Sequence, residues 1–204
     1  MFTGIIQAVG RVREPEKLGS GLHLTIVCPP AFDLKSVRIG DSIAVNGACM
    51  TVVSKTDDSF SIDVSAESLS KTCGLNTFGE VTLTLAVSID GHLVSGHVDG
   101  VGQVESFEKI DESYRLIVRA PVKLSPYFAY KGSVAVNGVS LTINSVEDTA
   151  MGALISINLI PHTLAATTLK NLKAQDMVNL EVDTIARYVE RMMRLQNNAE
   201  NELI

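Results

Sequence analysis

Residues 42–52 read SIAVNGACMTV, and residues 133–143, which lie 91 positions further along the chain, read SVAVNGVSLTI. Six of the eleven positions are identical, and four of the other five exchange one apolar residue for another. The remaining difference is chemical, because Cys49 in the first stretch corresponds to Ser140 in the second. A long internal repeat of this kind predicts a duplicated structural unit.

The similarity extends on both sides of these two stretches. Residues 1–12 match 93–104, residues 61–69 match 156–164, and residues 81–85 resemble 178–182. Two copies of about 90 residues are too few and too long for a solenoid, so they predict two domains of ordinary small size. We place the first domain at residues 1–90, the second at 91–183, and a C-terminal helix at 184–204.

Composition narrows the class of protein and its compartment. The 204-residue chain is 46% apolar and carries a net charge of −6, without clusters of Lys or Arg. It is therefore a poor partner for nucleic acid. No apolar run approaches the ~20 residues of a membrane span, and the first residues lack a signal-peptide pattern. Three cysteines without Cys-x-x-Cys spacing indicate a reducing compartment, so we expect a cytoplasmic protein without disulfides or a zinc site.

Short β-prone stretches separated by Gly and Pro turns recur through both copies. This pattern predicts an all-β fold of two tandem six-stranded antiparallel Greek-key β-barrels, related by duplication and followed by a C-terminal α-helix. The predicted strands lie at residues 1–12, 22–28, 43–53, 60–64 and 81–87, and at residues 93–104, 114–120, 133–146, 154–159 and 177–182. Short helical turns are predicted at residues 34–37 and 65–72.

The pattern changes to a helical period after the last predicted strand. Asp183 or Thr184 is a suitable N-cap for this helix. An apolar stripe with one polar member then runs through Ile185, Val189, Met192, Gln196, Ala199 and Leu203. The first copy has no counterpart of this helix, so the stripe either packs on a barrel of its own chain or associates with copies of itself.

Cys49 and His97 are the candidates for chemistry. A lone Cys is usually a core residue, but its counterpart Ser140 favours function, because a buried site rarely accepts an unpartnered hydroxyl. His97 replaces Ile5 of the first copy and lies between glycines, where it is a candidate acid, base or hydrogen bonder, with a core histidine as the alternative. His92 and His97 would face opposite sides of a strand, so a metal site is not expected.

The two copies differ mainly in their polar residues. Cys49 and Asp63 of the first copy correspond to Ser140 and Asn158 of the second. Two concave ligand sites of similar shape, one on each barrel and here called cups, would bind two similar ligands. Their different polar groups would give the two ligands different roles in a reaction. The pattern suggests a reaction between two like substrates. For Asp183, which follows the last predicted strand, helix capping alone is an adequate explanation.

These stretches resemble the riboflavin synthase family, of the trimeric α-chain type, over essentially the whole chain. The resemblance rests on MFTGI at residues 1–5, VNGACMTV at 45–52, GHLVSGHV at 91–98, VNGVSLT at 136–142 and NLEVD at 179–183. Each of these motifs is weak alone. All of them, in order and duplicated, are highly specific.

The resemblance implies a transferase that converts two molecules of 6,7-dimethyl-8-ribityllumazine into riboflavin and 5-amino-6-(ribitylamino)uracil by moving a four-carbon unit. It implies that no cofactor or metal takes part, and that each barrel binds one lumazine. It also implies a homotrimer held by the C-terminal helices, in which the N-terminal barrel of one subunit meets the C-terminal barrel of a neighbour. Lumazine synthase is a candidate partner protein.

The resemblance also carries site residues over to this chain. Catalytic parts are implied for Cys49, His97, Ser140 and Asp183. The first cup is implied to contain Gly4, Ile5, Ile6, Ser42, Cys49, Met50, Thr51, Asp63, Val64, Ser65, Ala66, Glu67 and Ser68. The second cup is implied to contain Gly96, His97, Val98, Lys131, Ser140, Leu141, Thr142, Asn158, Leu159, Ile160, Pro161, His162 and Thr163.

For this chemistry, His97 would remove the acidic C7 methyl proton of one lumazine, with Ser140 and Thr142 as hydrogen-bonding partners. Water, a ribityl hydroxyl and Cys49 are the candidate nucleophiles at C7 of the other. One alternative is a non-catalytic lumazine- or flavin-binding antenna protein of the same fold. The presence of Cys49, His97 and Ser140 argues against this alternative. Another is a flavin-dependent reductase, which the lack of a Gly-x-Gly-x-x-Gly motif disfavours.

Overall fold

In a computed structural model, residues 1–85 and 92–201 of the chain are described. The predicted domain boundary between residues 90 and 91, the end of the predicted strand at 81–87 and residues 202–204 of the predicted helix lie outside the described residues. Within the described ranges the chain folds into two closed six-stranded antiparallel barrels, which confirms the predicted fold class.

The first barrel is closed by six strands, and one further short strand forms a hairpin at its side. The strands are β1 (Ala8–Val12), β2 (Glu16–Leu18), β3 (Gly21–Val27), β4 (Ser42–Val45), β5 (Ala48–Lys55), β6 (Ser59–Val64) and β7 (Gly79–Leu85). Their order is β1-β7-β4-β5-β6-β3, with β1 pairing β3 to close the barrel and β2 pairing only β3. A short helix, α1 (Ala66–Lys71), follows β6.

The second barrel repeats this arrangement. Its strands are β8 (Gly100–Ile110), β9 (Ser113–Ala120), β10 (Ser133–Val136), β11 (Val139–Thr149), β12 (Gly152–Leu159) and β13 (Met177–Val182). They close in the order β10-β11-β12-β9-β8-β13. In both barrels the last strand lies beside the first strand of a consecutive three-stranded meander, which is the Greek-key arrangement. The helix α2 (Pro161–Ala166) and two 3-10 helices, Val122–Tyr127 and Thr168–Asn171, complete this barrel.

Alternation of apolar and polar residues fills each barrel from the inside. Ala48, Met50 and Val52 of β5 are buried, whereas Thr51 and Val53 between and beyond them are exposed. Successive strand residues face opposite sides of a sheet, so every second side chain enters the core. The same period of two produces a separate apolar core in each barrel.

The Asn-Gly pairs produce hairpins where longer strands were predicted. The predicted strands at 43–53 and 133–146 are wrong in this respect, because each is two antiparallel strands joined by a two-residue turn. Asn46 has φ +49° and Gly47 has φ +82°, and Asn137 and Gly138 adopt almost the same angles. Positive φ at both turn residues defines the type I′ hairpin, for which Asn-Gly is the preferred sequence. The helical turn predicted at 34–37 is also wrong, because this stretch forms non-helical turns.

These two turns meet where the barrels pack together. A Cβ atom at Gly138 would lie 2.8 Å from the Cα of Gly47, so the two backbones touch. The Asn179 side chain donates to the Asn46 carbonyl at 2.9 Å, and the Thr82 hydroxyl donates to the Asn137 carbonyl. The last strand of each barrel therefore binds the turn of the other, and the barrels pack about a local twofold relation.

The first residues of each copy do not form the long strands predicted for 1–12 and 93–104. Strand β1 starts at Ala8 and β8 starts at Gly100. Ahead of them, Phe2 and Val94 form an isolated antiparallel bridge, with N–H to O distances of 2.7 and 3.1 Å in the two directions. These segments pair with each other between the barrels, so neither can extend the first strand of its own barrel.

The C-terminal helix α3 (Thr184–Asn201) begins where the sequence predicted. The Asp183 carboxylate caps it by accepting the Ile185 N–H at 2.8 Å. Arg187 ties the first turn to the second barrel through an ion pair with Asp99 at 3.0 Å. Within the described residues, the first half of the apolar stripe is not covered by either barrel of its own chain, because Ile185, Val189 and Met192 are 66%, 49% and 70% exposed.

The contact between the turns yields a stability prediction. Gly138→Ala and Gly19→Ala both place a side chain at positive φ, which costs about 1–2 kcal/mol. Only at Gly138 does the new Cβ meet other atoms, whereas nothing lies within 4 Å of the one at Gly19. We expect Gly138→Ala to lower the free energy of unfolding by ~1–3 kcal/mol more than Gly19→Ala, as measured by urea denaturation. Equal losses would show that the turns do not pack as described.

Candidate active site

The initial segment of each copy lies against the barrel of the other copy. The N–H of Cys49 in the first barrel donates to the Gly96 carbonyl at 2.7 Å, and the N–H of Ser140 in the second donates to the Gly4 carbonyl at 2.7 Å. Val98 packs against the first core and Ile6 against the second. The grouping of the predicted cups is therefore wrong: Gly4–Ile6 accompany Ser140, and Gly96–Val98 accompany Cys49.

A pocket of about 200 Å³ lies where the second copy's segment covers the first barrel. It brings together seven predicted site residues, which are Cys49, Met50, Glu67, Ser68, Gly96, His97 and Val98. The sequence did not point to its other members, Ala48, Lys71 and Thr72. Lys71 and Thr72 were detectable in principle, because Lys71 of α1 and its C-cap residue Thr72 follow Glu67 and Ser68 by four residues and so lie on the same side of the helix. Lys71 also forms an ion pair with Glu67 at 2.7 Å.

The other residues predicted for the first cup occupy positions around this pocket. Ser65 is the N-cap of α1, and its hydroxyl accepts the Ser68 N–H at 3.1 Å. An Asp63 carboxylate oxygen lies 2.6 Å from Nδ1 of His23, a residue for which no role was predicted. The remaining members are the paired strand residues Ser42 and Thr51, the core residue Val64 and the exposed Ala66.

A second candidate site contains His92, which was not among the predicted site residues. Its Nδ1 atom and the Ser140 hydroxyl oxygen are 2.6 Å apart, while its buried Nε2 atom has no hydrogen-bond partner within the described residues. Burial lowers the pKa of His92, against the opposing effect of the negative charge on Asp183. The imidazole is therefore neutral at pH 7 and able to accept a proton.

Asp183 has a structural role and an electrostatic role. Its carboxylate caps α3, as one reading of the sequence predicted, and its charge acts on His92. It also lines a cavity of about 650 Å³ between α3 and the second barrel, together with Tyr127 and Val189.

The other residues predicted for the second cup lie at different depths. Leu141 and Leu159 are in the core, while the Lys131 ammonium donates to Asn144 at 3.1 Å. Asn158 accepts a hydrogen bond from Ser113 at 3.0 Å. Those at the surface or partly covered are Thr142, Ile160, Pro161, His162 and Thr163.

Residues 1–85 and 92–201 lack two classes of feature. No group of three or more His, Cys, Asp or Glu side chains in these ranges is arranged to hold a metal ion. In the same ranges, no helix combines the length and the apolar character needed to cross a membrane.

Two tandem barrels, one with a pocket beside Cys49 and the other with the contact of Ser140 and His92, define a class of protein. Both repeats match it: residues 3–83 and 95–183 fit the lumazine binding domain family. The chain belongs to the riboflavin synthase family. It is 40% identical to the riboflavin synthase of Photobacterium phosphoreum over 199 residues, which cover 95% of this chain and 89% of the relative. It is 36% identical to that of Bacillus subtilis (strain 168) over 209 residues, covering 99% and 94%.

Solved structures share the fold. The crystal structure of LumP complexed with flavin mononucleotide superposes with a TM-score of 0.79 at 25% identity, covering 89% of this chain and 99% of that chain. The structure of LumP complexed with 6,7-dimethyl-8-(1'-D-ribityl) lumazine has a TM-score of 0.77 at 24% identity, with the same coverage. The relatedness to riboflavin synthases is therefore stronger in sequence than the relatedness to LumP.

The environment of His92 can be tested by titration. We expect the His92 ring, followed by NMR across pH, to titrate below the ordinary pKa of 6.5. Asp183→Asn removes the charge that raises this pKa but keeps a good N-cap, so it should lower the pKa further without unfolding α3. A His92 pKa at or above 6.5 in the wild type, or one that rises in Asp183→Asn, would contradict this description.

Proposed function

We propose that the chain catalyses the dismutation of two 6,7-dimethyl-8-ribityllumazine molecules into riboflavin and 5-amino-6-(ribitylamino)uracil. The observation that carries the proposal is the presence of two different polar pairs on two similar lumazine-binding barrels: Cys49 with His97, and Ser140 with His92. A four-carbon unit passes from one lumazine to the other, so the atoms of the two substrates sum to the two products. The reaction needs no external oxidant or reductant.

The Ser140 site is suited to removing the proton from the C7 methyl group. The carbanion that results is delocalised into the lumazine ring, so a modest base is sufficient. A neutral His92 can accept this proton through the Ser140 hydroxyl, because the two side chains are within hydrogen-bond distance. In this scheme His92 takes the part that the sequence had given to His97.

The Cys49 pocket is suited to holding and activating the second lumazine. Its wall combines a thiol, an imidazole and the ion pair of Glu67 with Lys71, all within reach of a heterocycle with polar substituents. Cys49 is the protein's own candidate for the nucleophile at C7, beside water and a ribityl hydroxyl. Holding the two rings together contributes further, since proximity accounts for up to ~7–11 kcal/mol of a barrier.

The reacting pair is proposed to form between subunits of a homotrimer. The support is the exposed stripe of Ile185, Val189 and Met192, an apolar surface that the described part of the chain leaves uncovered and that association would bury. The resemblance supplies the trimeric state and the meeting of unlike barrels. A cytoplasmic location and an association with lumazine synthase stay predictions.

The test is the conversion of dimethylribityllumazine by the purified chain, followed by riboflavin fluorescence. Ser140→Ala and His92→Ala should each lower kcat by about 100-fold or more, because the first removes the hydroxyl that passes the proton on and the second removes the general base. Ser145→Ala is the matched control, since Ser145 is an exposed residue of the same strand β11. Tight lumazine binding by the wild type without any riboflavin formation would instead identify a non-catalytic antenna protein.

A further inference from the structure

A buried carboxylate lies directly behind the segment that carries His97. Glu181 of β13 is only 2% exposed, and it accepts three hydrogen bonds from two consecutive residues. Its Oε1 atom accepts the Ser95 N–H at 2.6 Å and the Ser95 hydroxyl at 2.7 Å, and its Oε2 atom accepts the Gly96 N–H at 3.0 Å. Burying a carboxylate is costly unless such bonds compensate for lost hydration.

These bonds fix the backbone that places His97 beside Cys49. Gly96 is held at φ +78°, and its carbonyl accepts the Cys49 N–H at 2.7 Å. A Cβ atom on Gly96 would lie 2.7 Å from the Cβ of Cys49, so the segment sits directly on the strand. His97 is the next residue and lines the Cys49 pocket. The position of its ring therefore depends on the anchor at Ser95 and Gly96.

The same segment is anchored again on the other side of His97. The Asp99 carboxylate accepts the Val182 N–H at 2.9 Å and pairs with Arg187 of α3. Residues 181 and 182 of β13 thus hold the chain both before and after His97. A segment fixed at both ends has few conformations to lose when a ligand binds beside it.

The first copy lacks the carboxylate at the equivalent place. Thr84 corresponds to Glu181, since each is paired with an equivalent alanine: Thr84 with Ala44 and Glu181 with Ala135. In that copy the Thr3 hydroxyl accepts the Ile5 N–H at 3.2 Å, a bond within the segment itself. The carboxylate therefore accompanies the segment that carries a histidine, and the segment carrying Ile5 is held without one.

We propose that Glu181 is a positioning residue for His97: its carboxylate holds Ser95 and Gly96 so that the imidazole faces the lumazine bound beside Cys49. The effect of this assignment on catalysis rests on the proposed function. Burial, together with the negative charge of Asp99, raises the pKa of Glu181 above its ordinary value, and the hydrogen bonds from Ser95 and Gly96 oppose this rise because they stabilise the ionised carboxylate.

The experiment compares Glu181→Gln with Glu105→Gln. In the Glu181→Gln variant the NH₂ group of the glutamine amide must face either the Gly96 N–H or the two donors of Ser95. Either orientation places one donor against another, which breaks the anchor while the side-chain volume is kept. Glu105→Gln removes a carboxylate from the surface of the same barrel, where Glu105 pairs with Arg119. Both variants are made in the wild-type and in the His97→Ala background, and kcat, KM, the melting temperature and the NMR signal of the His97 ring are measured.

We expect Glu181→Gln to lower kcat by up to about 100-fold in the wild-type background, with a smaller change in KM and a shifted His97 signal. In the His97→Ala background the same change should lower kcat no more than Glu105→Gln does, because the residue it positions is already gone. An equal loss in both backgrounds, or an unchanged His97 signal, would overturn the proposal.

Two further measurements distinguish a wrong assignment of Glu181 from a variant that does not fold and from a failure of the proposed function. If Glu181→Gln fails to fold, Ser95→Ala removes one of the three bonds and retains the carboxylate, and it should shift the His97 signal in the same way without a large fall in melting temperature. If the wild type forms no riboflavin, the proposed function fails. The NMR comparison does not require turnover, so it still decides whether Glu181 positions His97.

Discussion

The reciprocal docking of two chain segments, each carried onto the barrel of the other repeat, is the contact on which the rest of this structure depends. Phe2 and Val94 bridge the two segments, and beyond them the Gly4 and Gly96 carbonyls bind the backbones of Ser140 and Cys49. Both glycines have positive φ, and a side chain on either would collide with the strand below. Because each site combines a strand of one barrel with the segment of the other repeat, each candidate site needs residues from both repeats.

A symmetric scaffold therefore carries two chemically different sites. The strands, the Asn-Gly turns and the exchanged segments obey one twofold relation, whereas the side chains facing the pockets do not. Cys49 is opposed by His97, and Ser140 by His92, whose lowered pKa keeps the imidazole in the unprotonated form that can accept a proton. Such a division is what a reaction between two identical substrates requires, since one molecule must give up what the other accepts.

The sequence predicted the barrels because the period-two alternation and the turn residues are local signals, and both signals occur in each of the two repeats. It did not predict the exchange of segments, because residues 1–7 and 93–99 have β-prone composition and only tertiary packing decides which strand lies beside them. His92 was missed for a related reason: the match between the repeats starts at Leu93, so His92 has no counterpart to be compared with. The hairpins were detectable, since Asn-Gly is a known signal for a two-residue turn.

Riboflavin formation by refolded mixtures of two variants tests the exchange most directly. One variant carries Cys49→Ala and His97→Ala, and the other carries His92→Ala and Ser140→Ala, so that each has lost one site and kept the other. If sites from different subunits react together, mixed trimers should recover activity well above the sum of the parents. A second mixture, Cys49→Ala with His92→Ala against His97→Ala with Ser140→Ala, should recover none, because every site then has a lesion. Mixed trimers of the first kind that stay as inactive as their parents would contradict the reaction between sites of different subunits, and recovery by the second mixture would contradict the grouping of Cys49 with His97 and of Ser140 with His92.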